Sequence, residues 1–129
     1  MKAFIAAATV TCINVLVASG FAITGVIRPH SVVPMTEPLT QGSSIFSLYA
    51  AARTLPLAAM VLVACYKRWP MALMVLGTLA AFIQLLDCGV GLYQHDLGKT
   101  LGPLVLSILQ FTVVFPLWKS MRADVQGSD

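Results

Sequence analysis

Two charged side chains, Arg53 and Asp87, stand inside long hydrophobic stretches of this sequence, whereas the other lysines and arginines lie near the ends of such stretches. A carboxylate at the centre of a membrane-spanning helix costs about 2.5–3.5 kcal/mol on insertion scales, so it needs a compensating group. We therefore predict that Arg53 and Asp87 form a direct or one-water pair inside a helical bundle. A purely structural ion pair is the alternative reading.

Other polar side chains are expected at the same depth. At a rise of about 1.5 Å per residue, Gln84 and Gln110 each lie about 14 Å into their spans, close to the level of the charged pair. Tyr49 stands four residues before Arg53 and shares its helix face. Asn14 lies near the middle of the first span, where it is either an interhelical hydrogen-bond donor or a ligand contact.

This group of residues predicts acid/base chemistry on a small lipophilic or amphipathic molecule. Asp87 would move a proton or activate water, Arg53 would steady negative charge, and Tyr49 would donate to the reacting oxygen. The predicted reaction is a hydrolysis, isomerisation or cyclisation, and the predicted ligand contacts are Asn14, Gln84 and Gln110. We expect no metal and no cofactor, because the sequence offers no cluster of metal ligands and no phosphate-binding or dinucleotide motif.

The composition indicates that lipid is the main solvent. Hydrophobic residues make up 58% of the 129 residues and charged residues 10%, against roughly 25% charged in soluble domains. No basic run with interleaved aromatic residues is present, so we expect no nucleic-acid partner. The three cysteines, Cys12, Cys65 and Cys88, match no zinc or redox spacing and are expected to fill apolar space.

Hydrophobic runs predict an all-α, four-helix transmembrane bundle in one domain, with spans at about residues 4–27, 45–66, 71–93 and 101–118. The loop at 28–44 contains His30, Glu37 and several prolines, and we expect it to cover an outward-facing pocket. Residues 119–129 are expected to form a frayed polar tail.

The distribution of cations predicts the orientation. One side of a four-span arrangement carries more lysine and arginine than the other, and the positive-inside rule then places both termini in the cytoplasm of a multi-pass protein of the cell membrane. The cations on the predicted inner side are Lys2, Lys67, Arg68, Lys119 and Arg122, and those on the outer side are Arg28 and Lys99.

Small and polar residues recur at helical spacing and predict which helix faces meet. In the third span Gly77, Ala81 and Cys88 should contact other helices, whereas Phe82 and Ile83 should face lipid or a second copy of the chain. The first span has a similar face, and a homo-oligomer is left open. The residues of that face are Ala7, Thr11, Asn14, Ala18, Ala22 and Gly25.

The segments AAARTLPL at 50–57 and QLLD at 84–87 resemble the DoxX-like group of small four-helix membrane proteins, over about residues 44–118. That resemblance implies a four-helix bundle and a partnership with redox or small-molecule metabolism, without assigning a reaction. A glycine often expected soon after the arginine of that group is absent here, and Pro56 stands nearby instead. The residue types Asn, Tyr, Arg and Asp are also similar to those of limonene-epoxide-hydrolase-like enzymes, in chemistry alone.

Three classes of function are consistent with these sequence features. The chain is a membrane enzyme, a non-catalytic accessory or assembly subunit of a membrane redox or transport complex, or a carrier. A single intramembrane charge pair without repeat symmetry weakens the carrier. A wet pocket would favour the enzyme, and a broad lipid-facing patch of small residues would favour the subunit.

Overall fold

A computed structural model describes residues 1–29 and 41–126 as four helices. These are α1 (Lys2–Ile27), α2 (Gln41–Tyr66), α3 (Pro70–Tyr93) and α4 (Leu97–Gln126). Each is long and apolar enough to cross a membrane, α4 over Leu97–Ala123. The predicted all-α fold with four such helices is confirmed, while the orientation of the termini stays a prediction. The loop at 28–44 that is predicted to cover a pocket, with His30 and Glu37, falls largely on residues 30–40, outside the described residues.

The packing of the bundle follows from its small residues. α1 packs against the other three helices and α3 does the same, whereas α2 and α4 do not contact each other over the described residues. α1 and α3 approach each other across the bundle because their facing sides carry few bulky groups. The buried residues of α1 are Ala7, Thr11, Asn14, Val15, Ser19, Ala22 and Gly25, and those of α3 are Leu73, Gly77, Ala80, Ala81, Gln84, Cys88 and Gly91.

These buried faces confirm most of the predicted packing. Gly77, Ala81 and Cys88 are buried, and Phe82 is exposed on the bundle surface, where its ring meets Phe111 edge to face. Ile83 is half-buried and so lies at the border of the two faces. Helical periodicity alone was enough to separate the two sides of α3.

The connections α2–α3 and α3–α4 are built alike. Each contains one non-glycine residue in the left-handed region, Arg68 with φ 50° and His95 with φ 54°. In the second connection the Asp96 N–H donates to Gly91 O and the His95 N–H to Leu92 O, which is the Schellman pattern of a helix C-terminus. The first connection has the same two bonds, from Trp69 to Ala64 and from Arg68 to Cys65.

Asp96 then caps the N-terminus of α4. Its Oδ1 accepts from the backbone N–H of Gly98 at 3.0 Å and of Lys99 at 3.2 Å, which satisfies two of the free donors of the new helix. The backbone N–H of Lys99, followed by the Lys99 ammonium 3.4 Å away, lowers the pKa of the Asp96 carboxyl, although burial acts in the opposite direction. The carboxylate is therefore the form that this turn favours.

Three helix ends differ from the sequence prediction by four residues or more, and α4 begins at Leu97 rather than at residue 101. α2 begins at Gln41 rather than at residue 45, and α4 runs to Gln126, so much of the predicted polar tail is helical. Cation–π contacts at i,i+4 spacing stabilise the extension of α4. Lys119 lies over Phe115, and Arg122 lies over Trp118.

Candidate functional site

Arg53 and Asp87 lie side by side, as the sequence predicts, but on the outer surface of the bundle. Nη2 of Arg53 is 3.6 Å from Oδ1 of Asp87, and the two side chains are 55% and 41% exposed. Their predicted position inside the bundle is wrong. The buried face of α2 consists of the small or β-branched residues Ala51, Thr54, Ala58, Val61 and Ala64, and packing that face inward turns Arg53 outward.

The pair lies well inside the length of the two apolar helices. Arg53 is near the middle of α2, about 18 Å from Gln41 at a rise of 1.5 Å per residue, and not the 12 Å expected from a span beginning at 45. Asp87 lies about 9 Å from Tyr93 on α3 by the same rise. Both charges therefore fall within the length of the apolar helices rather than at their ends.

The contact between the two charges is loose. A charge-assisted N–H···O bond is about 2.7–2.9 Å long, and 3.6 Å is well beyond that. Within the described part of the chain, neither side chain makes a hydrogen bond, although a guanidinium offers five donors and a carboxylate about four acceptor sites. Arg53 and Asp87 thus retain unused hydrogen-bonding capacity on a surface that faces away from the bundle.

Tyr49 extends the same outer face of α2. It is 70% exposed and stands one helical turn before Arg53, while Met60 lies two turns after Arg53 and is 55% exposed. Pro56, between them, is exposed as well. α2 consequently presents an uncovered stripe that runs along the helix, with a single positive charge near its centre.

Gln84 and Gln110 do not flank the ion pair; they form a separate network with Asn14 in the core. Gln84 Nε2 donates to Asn14 Oδ1 at 2.7 Å, and Asn14 Nδ2 donates to Gln110 Oε1 at 3.3 Å. All three side chains are buried. The predicted single polar layer is therefore two layers, one outside the bundle and one inside it.

Thr11 completes this network, and the sequence analysis did not place it among the site residues. Gln110 Nε2 donates to Thr11 Oγ1 at 2.7 Å, and the Thr11 hydroxyl donates to Ala7 O at 2.6 Å. The sequence feature that could have identified Thr11 is its position three residues before Asn14, on the same helix face. The network joins α1, α3 and α4, and it confirms Asn14 as an interhelical donor.

The network is closely packed around its own hydrogen bonds. A Cβ added at Gly77 would lie 2.8 Å from Gln110 Nε2 and 3.3 Å from Thr11 Oγ1. Ser107 ties α4 to α3 beside it by donating to Ala81 O at 3.0 Å. Buried amides are costly unless bonded, and these are bonded to one another. We therefore assign Asn14, Gln84 and Gln110 to holding helices together.

Two apolar grooves lie on the outer surface, and neither is lined by Arg53 or Asp87. One, of about 540 Å³, lies between α2 and the start of α3, with Met60, Trp69 and Val75 in its lining. The other, of about 340 Å³, lies between α3 and α4, with Phe111 and Trp118 in its lining. Both are nearer the predicted cytoplasmic end than the ion pair is.

Comparison with protein-family models, with curated proteins and with solved structures finds no match to this chain. The resemblance to the DoxX-like group therefore stays a prediction, and the function is argued from the two polar layers and the two grooves.

Proposed function

We propose that this protein binds a small amphipathic molecule at Arg53 and Asp87, and that the molecule reaches them sideways from the membrane. The observation that supports this most directly is the loose pair itself, 3.6 Å apart and half-exposed on the outer surface of apolar helices. The site differs from the pocket expected inside the bundle, because the interior is occupied by the amide network.

The energetics favour a third polar group at this site. Each charge within hydrocarbon costs about 2.5–3.5 kcal/mol on insertion scales, and a loose contact offsets only part of that cost. A ligand hydroxyl would accept a hydrogen bond from the guanidinium and donate one to the carboxylate. Because Arg53 and Asp87 together carry no net charge, they suit a neutral polar head attached to a lipophilic body.

The same arrangement would serve acid/base chemistry. Asp87 would accept a proton from the bound hydroxyl or from a water, and Arg53 would stabilise the oxyanion that results. Tyr49, on the same exposed face one turn away, is a candidate for a further hydrogen bond to the reacting oxygen. In this catalytic form, Asp87→Asn would abolish turnover and leave the fold intact.

A second candidate, an accessory or assembly subunit, is supported by the exposed stripe on α2. Tyr49, Arg53, Pro56 and Met60 lie along one face, and a partner helix could cover that entire face and bond to the charges. A second copy of this chain is one such partner. This alternative uses the same residues, so an experiment has to separate a small ligand from a protein.

Mass spectrometry of the purified protein tests both candidates. The test variant is Arg53→Gln/Asp87→Asn. The matched control is Lys99→Gln/Asp96→Asn, which removes a second ion pair while keeping an N-cap side chain. We expect a small amphipathic molecule to co-purify with the parent and the control and to be at least tenfold depleted in the test variant.

Other outcomes have distinct meanings. If the test variant retains its small molecules but loses a co-purifying membrane protein or its own oligomer, the accessory-subunit candidate replaces the first. If the variant is as stable as the parent and retains every bound component and its activity in cells, Arg53 and Asp87 are a structural pair and both candidates are wrong.

A further inference from the structure

The groove between α3 and α4 is lined by aromatic rings, two of which make cation–π contacts. Its volume is about 340 Å³, and its lining residues are apolar apart from the Thr78 hydroxyl and the Trp118 indole N–H. The rings at its α4 side, Phe111, Phe115 and Trp118, are followed directly by the cations of the helix extension. The lining residues are Met74, Thr78, Phe111, Val114, Phe115 and Trp118.

Cation–π contacts hold two positive side chains beside this groove. Lys119 Nζ lies 4.9 Å from the centre of the Phe115 ring, and Arg122 Cζ lies 4.1 Å from the centre of the Trp118 ring. Both rings line the groove, so each cation lies next to a residue of its lining. The ion pairs Arg53–Asp87 and Lys99–Asp96 involve other side chains, so Lys119 and Arg122 are not neutralised by either of them.

We propose that this groove binds one acyl chain of an anionic phospholipid whose phosphate pairs with Lys119 and Arg122. The tail would lie against Phe111 and Phe115, and the head would reach the two cations, which the positive-inside rule places at the cytoplasmic surface. A guanidinium stacked on a ring keeps its N–H donors at its edges, where they can bind phosphate oxygens in pairs.

The neighbouring groove on α2 and α3 is a useful contrast. It is larger, about 540 Å³, and it too has a tryptophan, Trp69, close to two cations, Lys67 and Arg68. Those cations are exposed. Among the described contacts, no cation–π interaction joins Lys67 or Arg68 to the lining of that groove. Size and charge alone would favour the larger groove, whereas the observed contacts favour the smaller one.

Fluorescence quenching of Trp118 provides the test. The Trp69→Phe variant leaves Trp118 as the only tryptophan. The protein is reconstituted into phosphatidylcholine vesicles with phosphatidylglycerol, and the brominated acyl chains are placed either on the phosphatidylglycerol or on an equal mole fraction of phosphatidylcholine. Each cation near an anionic surface strengthens lipid binding roughly fivefold, so we expect brominated phosphatidylglycerol to quench at least threefold more effectively.

Three further variants in the same background locate the effect. Lys119→Gln/Arg122→Gln should reduce the preference for phosphatidylglycerol to about one, whereas the matched change Lys67→Gln/Arg68→Gln should leave it unchanged. Thr78→Phe fills the groove and keeps both cations, so it should lower quenching by either lipid. Circular dichroism checks that each variant remains helical.

Three results would overturn the proposal. They are equal quenching by the two lipids in the Trp69→Phe protein, an equal loss of the phosphatidylglycerol preference in the Lys67→Gln/Arg68→Gln control, and undiminished quenching in Thr78→Phe. Displacement of the brominated lipid by soluble glycerol phosphate would also overturn it, because the site would then recognise a free phosphate rather than a membrane lipid.

Discussion

Replacing Gly77 with alanine places a methyl group where α1, α3 and α4 meet. The new Cβ would lie 2.8 Å from Gln110 Nε2, 3.0 Å from Val114 Cγ2 and 3.3 Å from Thr11 Oγ1. The first of these atoms is also the donor of the 2.7 Å bond to Thr11. The methyl group therefore forces the Gln110 amide away from its hydrogen-bond partner as well as crowding the core.

The cost can be assembled from its parts. Overpacking of a filled core costs about 1–3 kcal/mol, and a buried donor left without a partner costs about 1–3 kcal/mol. Alanine regains roughly 1 kcal/mol of helix propensity relative to glycine. We therefore expect Gly77→Ala to lower the free energy of unfolding by about 3 kcal/mol.

Two other glycines of α3 provide controls on the same helix. A Cβ at Gly89 would meet nothing within 4 Å, so Gly89→Ala should be neutral or stabilising by up to roughly 1 kcal/mol. A Cβ at Gly91 would lie 2.5 Å from the backbone C and O of Lys99. Backbone cannot rotate away as an amide side chain can, so Gly91→Ala should be the most damaging of the three.

Unfolding by SDS in mixed micelles, followed by circular dichroism, measures all three variants. A double-mutant cycle then isolates the proposed cause: in a Gln110→Ala background, Gly77→Ala should cost at least about 1 kcal/mol less than in the parent. Equal stability of Gly77→Ala and Gly89→Ala would refute the packing described for this layer. A full cost that persists without Gln110 would refute the role of its amide.

Three shorter predictions concern the core network and the connection between α3 and α4. Gln110→Leu removes the acceptor of Asn14 Nδ2 and should cost about 1–3 kcal/mol in the same unfolding assay. Because the Lys99 backbone and ammonium lower the pKa of Asp96, the folded state favours its carboxylate; this stabilisation is complete above the unfolded pKa of about 3.9 and is lost as pH falls through the lowered value. Melting temperatures should therefore decline with acidification in the parent and decline less in Asp96→Asn. His95 adopts a left-handed φ of 54°, so His95→Gly should raise the free energy of unfolding by about 1 kcal/mol, measured by SDS titration.

Local patterns were sufficient to predict the helices and most of their inner faces. A continuous apolar run long enough to cross a bilayer has few alternatives to a helix, because no water is present there to satisfy an exposed backbone. Side-chain periodicity then separated Gly77 and Ala81 from Phe82 on α3. Neither inference needs knowledge of a neighbouring element.

The helix ends were less predictable. The composition of residues 119–126 reads as a polar tail, yet these residues continue α4. What the composition does not reveal is that Lys119 and Arg122 stack on rings one turn earlier. The beginning of α2 at Gln41 shifted the depth of Arg53 in the same way, because depth was counted from an assumed end.

The sequence by itself predicted that Arg53 and Asp87 would meet, because two opposite charges inside apolar helices need each other, although the depth counted for Arg53 from an assumed helix end was wrong. Only the tertiary structure decided on which side of the bundle they meet. The rotation of α2 about its own axis depends on which face its neighbours accept, and the small residues Ala51 and Ala58 pack inward. That rotation turns Arg53 outward, while Gln84 on α3 turns inward to Asn14, because the two amides can satisfy each other in the core and a half-matched charge pair cannot.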